Sequence, residues 1–322
     1  MNGPPEPAGS SPAPRLSVVI PLFNCLPLTQ AIAAALAATL PAGLAWEAIL
    51  VDDGSTDGTR EWLATLRPPF HAVLNERNLG YAAANNRGAA RARGGLLALI
   101  NNDLILRPGW LEPMLAAHAA LGPRAGLVGN VQLDARTGVL DHAGIRFDHQ
   151  GKPAHVRRSV PAWERALRPI RRVPAVTGAC VLVSADLWRE LAGFDEGYVN
   201  GCEDVDLCLR AAAAGRVNAV ALRSEVGHLI SASPGRKQRD EANTYRLALR
   251  WRETLVREGS RAWARHYLAS HLAEPRDFPD PALARQAALY LLGLRDAPAG
   301  ARAGMQVALE VELERWRSMG NP

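Results

Sequence analysis

The chain has 322 residues, of which 48% are hydrophobic and 21% are charged, and its formal net charge is +5. This length is sufficient for one large hydrophobic core, or for one domain with an extension. No apolar run approaches the roughly 20 residues of a membrane-spanning helix, so we expect no transmembrane segment. Residues 1–14 are rich in Pro, Gly and Ser and lack the regions of a signal peptide, which predicts a disordered tail.

Most of the basic residues are arginines, which favours a phosphate-bearing partner. Residues 157–172 alone contain six arginines and one glutamate. Aromatic residues make up only 6% of the chain and are not interleaved with the basic ones, which argues against nucleic acid. Three interpretations of the arginines stay open: an anionic acceptor, an anionic membrane surface, or a solvated face. The four cysteines form no CxxC pair, which is typical of reduced thiols in a cytoplasmic protein.

Short apolar runs typical of β-strands alternate with helical patterns from residue 16 onward. The predicted strands are 16–23, 46–52, 70–75 and 95–101, and the predicted helices are 28–40, 57–66, 81–92 and 108–121. This alternation predicts an α/β fold with a mostly parallel sheet flanked by helices. In such sheets, ligands bind at the carboxyl ends of the strands.

The second half of the chain is less regular over residues 123–175. Further along, the pattern predicts strands at 175–184 and 217–223 and helices at 185–191 and 203–214. From residue 236 onward the chain is helical and rich in Ala, Leu and Arg. We therefore expect an α/β domain over residues 15–235 and a helical C-terminal extension over residues 236–322.

Two polar motifs follow predicted strands. In "VDDGSTDGT", Asp52 and Asp53 end an apolar strand. A turn with a helix cap explains one carboxylate, and the second is free to accept hydrogen bonds from a nucleobase or ribose. In "LLALINNDLIL", Asp103 indicates either a β-turn or a ligand for a hard cation that also contacts a diphosphate. If His228 lay beside Asp103, the mixed oxygen and nitrogen site would favour Mn²⁺ slightly over Mg²⁺.

The segment "GCEDVDLCLR" places three carboxylates, Glu203, Asp204 and Asp206, at the start of a predicted helix. The helix dipole favours acids at this end and explains one or two of them. A sugar transferase, in contrast, needs one carboxylate as a general base that removes a proton from the acceptor hydroxyl. The cluster supplies such a base together with polar groups for sugar hydroxyls.

The motifs resemble, in order, those of the inverting family-2 glycosyltransferases with a GT-A fold. The matching segments are "SVVIPLFN", "VDDGSTD", "NLGYAAANNRG", "NND", "TGAC", "GFDE" and "EDVDLCLR", followed by the later histidine. They run from about residue 16 to residue 236. The sub-group that they resemble most is the bacterial rhamnosyltransferase-like enzymes of O-antigen and surface polysaccharide assembly.

The resemblance implies a role for each matching residue. Asp204 is implied as the general base, with Glu203 and Asp206 as supporting acids. Asp103 and His228 are implied as ligands of a divalent metal ion, Mn²⁺ or Mg²⁺, although Asn101 stands where the strict motif has its first Asp. The residues implied in binding the nucleotide sugar are Pro21, Asn24, Asp52, Asp53, Asn78, Gly80, Asn85, Asn102 and Arg236.

The expected function is metal-dependent, inverting transfer of a hexosyl or deoxyhexosyl group from a UDP- or dTDP-sugar. The expected acceptor is a hydroxyl of a glycan or lipid-linked molecule in surface polysaccharide assembly, and the expected location is cytoplasmic, with peripheral contact at the inner membrane face left open. Two alternatives also stay open. A sugar nucleotidyltransferase would need a Gly-rich basic loop near the first strand, which "PLFNCLPLTQ" is not. A catalytically silent binding protein would not need acids at 52, 53, 103 and 204.

Overall fold

The computed structural model describes residues 14–229, 240–271 and 280–319. One large mixed sheet forms the centre of the molecule, and a short hairpin lies beside it. The strands are β1 (Leu16–Leu22), β2 (Trp46–Asp52), β3 (Phe70–Leu74), β4 (Leu96–Ile100), β5 (Leu104–Ile105), β6 (Ala125–Asp134), β7 (Leu140–His142), β8 (Ile145–Phe147), β9 (Pro153–His155), β10 (Ile170–Arg172), β11 (Cys180–Ser184) and β12 (Val217–His228).

The sheet has the strand order β10-β12-β6-β11-β4-β1-β2-β3. The half formed by β4, β1, β2 and β3 is entirely parallel. In the other half, β11 runs antiparallel to both β4 and β6, whereas β12 runs parallel to β6. The predicted α/β sheet flanked by helices is thus confirmed, and each antiparallel pair that the described residues form in this sheet includes β6, β11 or β12.

Helices cover both faces of the sheet. They are α1 (Leu26–Thr39), α2 (Thr59–Leu63), α3 (Tyr81–Ala89), α4 (Glu112–Leu121), α5 (Ala162–Leu167), α6 (Ala185–Glu190), α7 (Glu203–Ala213), α8 (Asp240–His271), α9 (Pro281–Leu291) and α10 (Ala299–Ser318). Successive strand residues point to opposite faces. Val19 of β1 therefore belongs to one buried cluster, while Val18 and Ile20 belong to the other.

The C-terminal helices pack against the sheet domain. Leu247 and Leu255 of α8 and Leu309 of α10 are buried in the same cluster as Val19. Polar contacts add to this packing: the Asn243 side chain donates to Val199 O at 2.9 Å and accepts from Val199 N at 3.2 Å. The predicted helical extension is therefore present. The predicted boundary near residue 235 lies outside the described residues, as do residues 1–13 of the predicted tail.

Two predictions differ from the structure in extent. The strand predicted at 217–223 continues to His228, because its second half pairs with β6 and β5. The irregular segment 123–175 contains the long strand β6, whose sequence AGLVGNVQLD lacks regular alternation because its first eight residues are all buried. Within the described ranges, no helix combines the length and apolarity needed to cross a membrane.

Candidate functional site

Polar residues follow three strands that are neighbours in the sheet. Strand β1 lies between β2 and β4, and all three run in the same direction. Their carboxyl ends therefore meet at one edge. Asn24 follows β1, Asp52 and Asp53 stand at the end of β2, and residues 101–103 follow β4.

The carboxylates at the end of β2 are buried and hydrogen-bonded. Asp52 accepts a hydrogen bond from Arg60 Nε at 2.7 Å. Asp53 accepts from Asn75 Nδ2 at 2.8 Å, from Gly80 N at 2.9 Å and from Leu79 N at 3.0 Å. Asp53 thus fixes the loop that leads into α3, and its position at the sheet edge is determined by the protein alone.

The loop after β1 is connected to the same motif. Asn24 adopts a left-handed conformation with φ 56°, its backbone N–H donates to Ser55 Oγ at 2.7 Å, and its side-chain oxygen accepts from Thr56 N at 2.9 Å. Asp57 accepts from Leu26 N at 2.9 Å at the start of α1. Pro21 is half-buried within β1, opposite Val51. These contacts hold the two predicted nucleotide-binding motifs side by side.

The start of α3 contains the remaining predicted amide groups. Gly80 precedes the helix with φ 92°, and its N–H also donates to Asn78 Oδ1 at 3.0 Å. Asn85 is fully buried and donates to Tyr81 O at 2.9 Å, while its Oδ1 has no partner among the described residues. Asn78 is exposed at the edge. Asn78 and Gly80 therefore lie beside Asp53, and Asn85 lies beneath them.

Asp103 and His228 are brought together by strand pairing. His228 is the partner of Leu104 in the antiparallel pair of β12 and β5, so it lies next to Asp103. Asp103 Oδ1 is 3.4 Å from His228 Nε2, and both side chains are nearly buried. Within the described part of the chain, three atoms here make no hydrogen bond: Asp103 Oδ1 and both ring nitrogens of His228. The expected juxtaposition is thus present.

These bare atoms fit a divalent cation. A carboxylate oxygen and an imidazole nitrogen are both ligands for Mn²⁺, whereas Mg²⁺ prefers oxygen. Asn101 Oδ1 is also buried without a partner, and Asn102 donates only a long 3.4 Å contact to Thr29 Oγ1. Among the described residues, no three His, Cys, Asp or Glu side chains cluster as a metal centre. Asp103 and His228 would therefore share the ion with oxygens of a ligand.

The three acids at the start of α7 have different environments. Asp204 is half-buried, and its two oxygens accept from Gly178 N and Val205 N, each at 2.8 Å. Glu203 is buried and accepts from Gly201 N at 2.6 Å. Asp204 is the most exposed of the three acids and retains free lone pairs, so it is the carboxylate that a substrate could reach.

Asp206 lies fully buried on the inner side of α7. One of its oxygens accepts from Arg210 Nε at 2.8 Å, and the other accepts from Trp251 Nε1 at 2.8 Å and lies 3.2 Å from Arg250. These contacts tie α7 to the C-terminal helix α8. Asp206 therefore does not face solvent. By fixing α7 it helps to hold Asp204, which lies two residues earlier in the same helix.

The structure adds residues that sequence reasoning missed. The Tyr81 hydroxyl donates to Gly178 O at 2.8 Å and so holds Gly178, whose N–H donates to Asp204. His142 is fully buried, and its Nε2 accepts from Gly144 N at 3.1 Å. Burial lowers the pKa of His142 well below its ordinary value, and repulsion from His155 and His228 lowers it further. No sequence signal distinguishes His142, since a single histidine is usually structural. Arg236 lies outside the described residues.

An α/β fold with polar residues at the carboxyl ends of parallel strands is typical of ligand-binding α/β domains. The profile of "Glycosyl transferase family 2" matches residues 17–164, which contain β1 to β4 and the Asp52 and Asp103 motifs. A rhamnosyltransferase from Mycobacterium tuberculosis, named N-acetylglucosaminyl-diphospho-decaprenol L-rhamnosyltransferase, is 30% identical over 217 residues. That match covers 58% of this chain and 68% of the relative. The chain belongs to glycosyl transferase family 2.

Other similarities extend further along the chain. The O-antigen biosynthesis protein RfbC of Myxococcus xanthus is 28% identical over 94% of this chain, but the match covers only 24% of that protein. The structure of GalNAc-T7 with UDP, GalNAc and Mn²⁺ superposes with a TM-score of 0.60 and 18% identity, over 88% of this chain and 55% of that one. The chain spans about a quarter of the length of the first curated relatives that it matches. The structural similarity establishes the GT-A fold.

Proposed function

We propose that the chain transfers a sugar from a nucleoside diphosphate sugar, a UDP- or dTDP-sugar, to a hydroxyl group with inversion at the anomeric carbon. The observation that carries the proposal is the pairing of Asp103 with His228 at the sheet edge that also holds Asp53. A buried acid and imidazole without hydrogen-bond partners are costly unless a ligand completes them. A metal ion shared with a diphosphate is such a ligand.

The donor nucleotide is assigned to the edge between β1 and β2. Asp53 fixes the loop that leads into α3 by accepting from Leu79 N and Gly80 N, and the base and ribose are assigned to the edge that this loop forms. Asn24, Asn78 and Pro21 border the same loop. The structure of GalNAc-T7 contains UDP, whereas that of a mannosyltransferase from Pyrobaculum calidifontis contains GDP-Man, and both support a nucleoside diphosphate donor.

Asp103 and His228 would hold Mn²⁺ or Mg²⁺, with Asn102 beside them. When bound, such an ion stabilises the negative charge that develops on the leaving diphosphate. The Mn²⁺ in the GalNAc-T7 structure supports this assignment. The two side chains themselves orient the ligand and exclude water, since both are nearly buried.

Asp204 is assigned as the general base. Its carboxylate takes the proton of the acceptor hydroxyl while the acceptor oxygen bonds to the anomeric carbon and the bond from that carbon to the diphosphate oxygen breaks. Attack from the face opposite the leaving group inverts the centre in one displacement. The N–H of Gly178 keeps the carboxylate oriented.

The acceptor is assigned as a glycan or lipid-linked molecule of surface polysaccharide assembly. Two relatives carry names of this chemistry: one is an O-antigen biosynthesis protein and one acts on a diphospho-decaprenol acceptor. The assignment of this acceptor class therefore rests on sequence similarity to these relatives. An assay of sugar transfer to a lipid-linked acceptor tests it directly.

Thermal unfolding in the presence of UDP, dTDP, GDP and CDP, with and without Mn²⁺ or Mg²⁺, tests the proposal. A ligand at a hundred times its dissociation constant adds about 2.7 kcal/mol of stability. We expect a metal-dependent shift for one nucleotide that Asp103→Ala abolishes. No shift with any nucleotide would overturn the donor assignment. A shift without hydrolysis or transfer of the matching nucleotide sugar would instead indicate a catalytically silent binding protein.

A further inference from the structure

Helix α5 carries an exposed apolar pair. Trp163 is 61% exposed and Leu167 is 76% exposed. Residues four apart share one face of a helix, so the two side chains project together. The opposite side of α5 is fixed to the domain, because Arg165 pairs with Glu225 at 2.8 Å. A tryptophan and a leucine are thus held outward by the fold and bury little surface within the protein.

Arginines surround this pair. The side chains of Arg157 and Arg158 are 68% and 78% exposed, and they flank α5 on its N-terminal side. Arg168 and Arg172 follow α5, both are exposed, and within the described ranges neither has a carboxylate partner. Segment 157–172 has a net charge of +5, from six arginines and one glutamate, which equals the formal net charge of the whole chain. Four of these arginines pair with carboxylates, Arg157 with Asp141, Arg165 with Glu225, and Arg158 and Arg171 with the same Glu164. The segment therefore carries more guanidinium groups than its neighbouring acids neutralise.

A second group of arginines converges on the same region from other elements. Arg146 of β8 is exposed and, among the described residues, is without a carboxylate partner. Partial desolvation of its guanidinium group lowers the pKa of Arg146, and repulsion from Arg171, Arg265, Arg158 and Arg261 lowers it further. Strand β8, segment 157–172 and helix α8 thus bring several guanidinium groups together, and Arg158 and Arg171 share the single carboxylate of Glu164. Like charges this close are unfavourable unless an anionic partner neutralises them.

This region borders the candidate site. Glu225, which anchors α5, lies three residues before His228 in β12, a separation of about 10 Å along a strand. The guanidinium of Arg223 donates to Arg165 O at 2.9 Å and to Ala166 O at 2.8 Å, so α5 is fixed along this strand. A partner bound at α5 therefore lies close to the sheet edge that holds Asp103.

We propose that Trp163, Leu167, Arg158, Arg168 and Arg172, which we name the α5 surface, dock onto an anionic lipid bilayer. Tryptophan is favoured at the membrane–water interface, and each basic residue near an anionic leaflet adds attraction. A single signal binds membranes weakly, whereas an apolar anchor combined with a basic cluster binds stably. Docking places the edge with Asp103 and His228 beside the bilayer, where a lipid-linked acceptor is presented. Docking does not depend on the proposed donor chemistry, whereas its link to a lipid-linked acceptor rests on the proposed function.

Flotation of the purified chain with vesicles tests the proposal. We expect binding to vesicles of phosphatidylglycerol and phosphatidylcholine, no binding to phosphatidylcholine alone, and weakening at high salt. The variant Arg158→Gln/Arg168→Gln/Arg172→Gln should lower the partition coefficient on the order of a hundredfold, since each charge contributes about fivefold. The variant Trp163→Ser/Leu167→Ser should lower it about tenfold.

Matched controls change equivalent groups elsewhere. Val307→Ser/Val311→Ser removes an exposed apolar pair from α10, and Arg91→Gln/Arg295→Gln/Arg302→Gln removes three exposed arginines. Both controls should bind vesicles like the unaltered chain, and unchanged melting temperatures show that every variant is folded. Loss of binding in the controls, unchanged binding in the α5 variants, or no binding to anionic vesicles would each overturn the proposal, and binding of inorganic diphosphate or a protein at α5 without vesicle binding would identify a different partner. The nucleotide-dependent thermal shift of each variant, measured without vesicles, reports separately on the donor site.

Discussion

The ends of β2 and β4 each carry a nearly buried aspartate, but only the one after β2 is hydrogen-bonded among the described residues. Asp53 accepts hydrogen bonds from Asn75, Leu79 and Gly80, whereas Asp103 Oδ1 and the facing His228 nitrogens have no hydrogen-bond partner in the described structure. Both acids are nearly buried, and β1 alone separates their strands. The difference indicates that the protein itself completes the β2 end, while the β4 end is completed by what it binds. Substitutions at the two ends should therefore separate stability from activity.

The largest effect on activity is expected for Asp103→Asn. The amide keeps the shape of the side chain but removes the charge that holds a divalent ion, so transfer should fall on the order of a thousandfold, or about 4 kcal/mol. The melting temperature should stay within about 2 °C, because no hydrogen bond is lost. Measured kcat/KM and thermal unfolding check both parts. An active Asp103→Asn enzyme would contradict the assignment of the β4 end.

For Asp53→Asn, a clear effect on stability is expected. The introduced NH₂ group faces N–H donors, so at least one buried hydrogen bond is lost and the free energy of unfolding should fall by about 2–4 kcal/mol. Urea unfolding at constant m-value measures this loss. Asn78→Ala is a suitable control, since Asn78 is exposed at the same loop and its side chain accepts only one local hydrogen bond from Gly80. Equal stability of Asp53→Asn and the unaltered chain would show that the loop does not depend on this acid.

A smaller effect on activity is expected at Tyr81. Tyr81→Phe removes the hydroxyl that donates to Gly178 O, while Gly178 N holds Asp204. Loss of one such bond is worth about 1 kcal/mol, so we expect kcat to fall about fivefold with little change in the donor KM. A fall in donor affinity with unchanged kcat would assign Tyr81 to substrate binding instead.

The sequence predicted the site better at strand ends than at helices. The alternation of strand-like runs with helical patterns placed Asp52, Asp53 and Asp103 at the carboxyl ends of strands. This was possible because each strand and the acids that follow it are adjacent in the chain. The pairing of Asp103 with His228 was only a conditional expectation. It depends on β12 continuing to residue 228 and pairing with β5, a contact between segments 124 residues apart.

Other features depend on contacts that no local pattern reports. The spacing of Glu203, Asp204 and Asp206 predicted one acidic cluster, yet Asp206 turns inward to Trp251 and Arg210. Its burial follows from the docking of α8, a helix that the sequence placed in a separate extension. Strand β6 was missed because a central strand buried on both faces lacks the alternation that identifies an edge or half-buried strand.

The smallest effect is expected at Glu47, a buried acid of β2 outside the candidate site. Burial alone would raise the pKa of Glu47, but hydrogen bonds from Ser17 and from the backbone and side chain of Arg93 outweigh it and lower the pKa. A pKa lowered in the folded state contributes stability above the unfolded value of about 4.5, which is lost as pH falls through the folded value. The slope of unfolding free energy against pH should therefore be positive below about pH 4.5.

Glu47→Gln removes this contribution and isolates it from catalysis. The Arg93 side chain is 63% exposed, so solvent screens its charge, and we expect a loss of about 1 kcal/mol at pH 7 that shrinks in acid. Urea unfolding at pH 7 and pH 3.5 measures the difference, and kcat/KM at pH 7 should match that of the unaltered chain. Because Glu47 and Asp53 are hydrogen-bonded acids of the same strand region, a variant that loses stability without losing activity sets the baseline for Asp53. Loss of transfer in Glu47→Gln would show instead that rigidity of β2 as a whole, and not the acids at its end, governs the donor site.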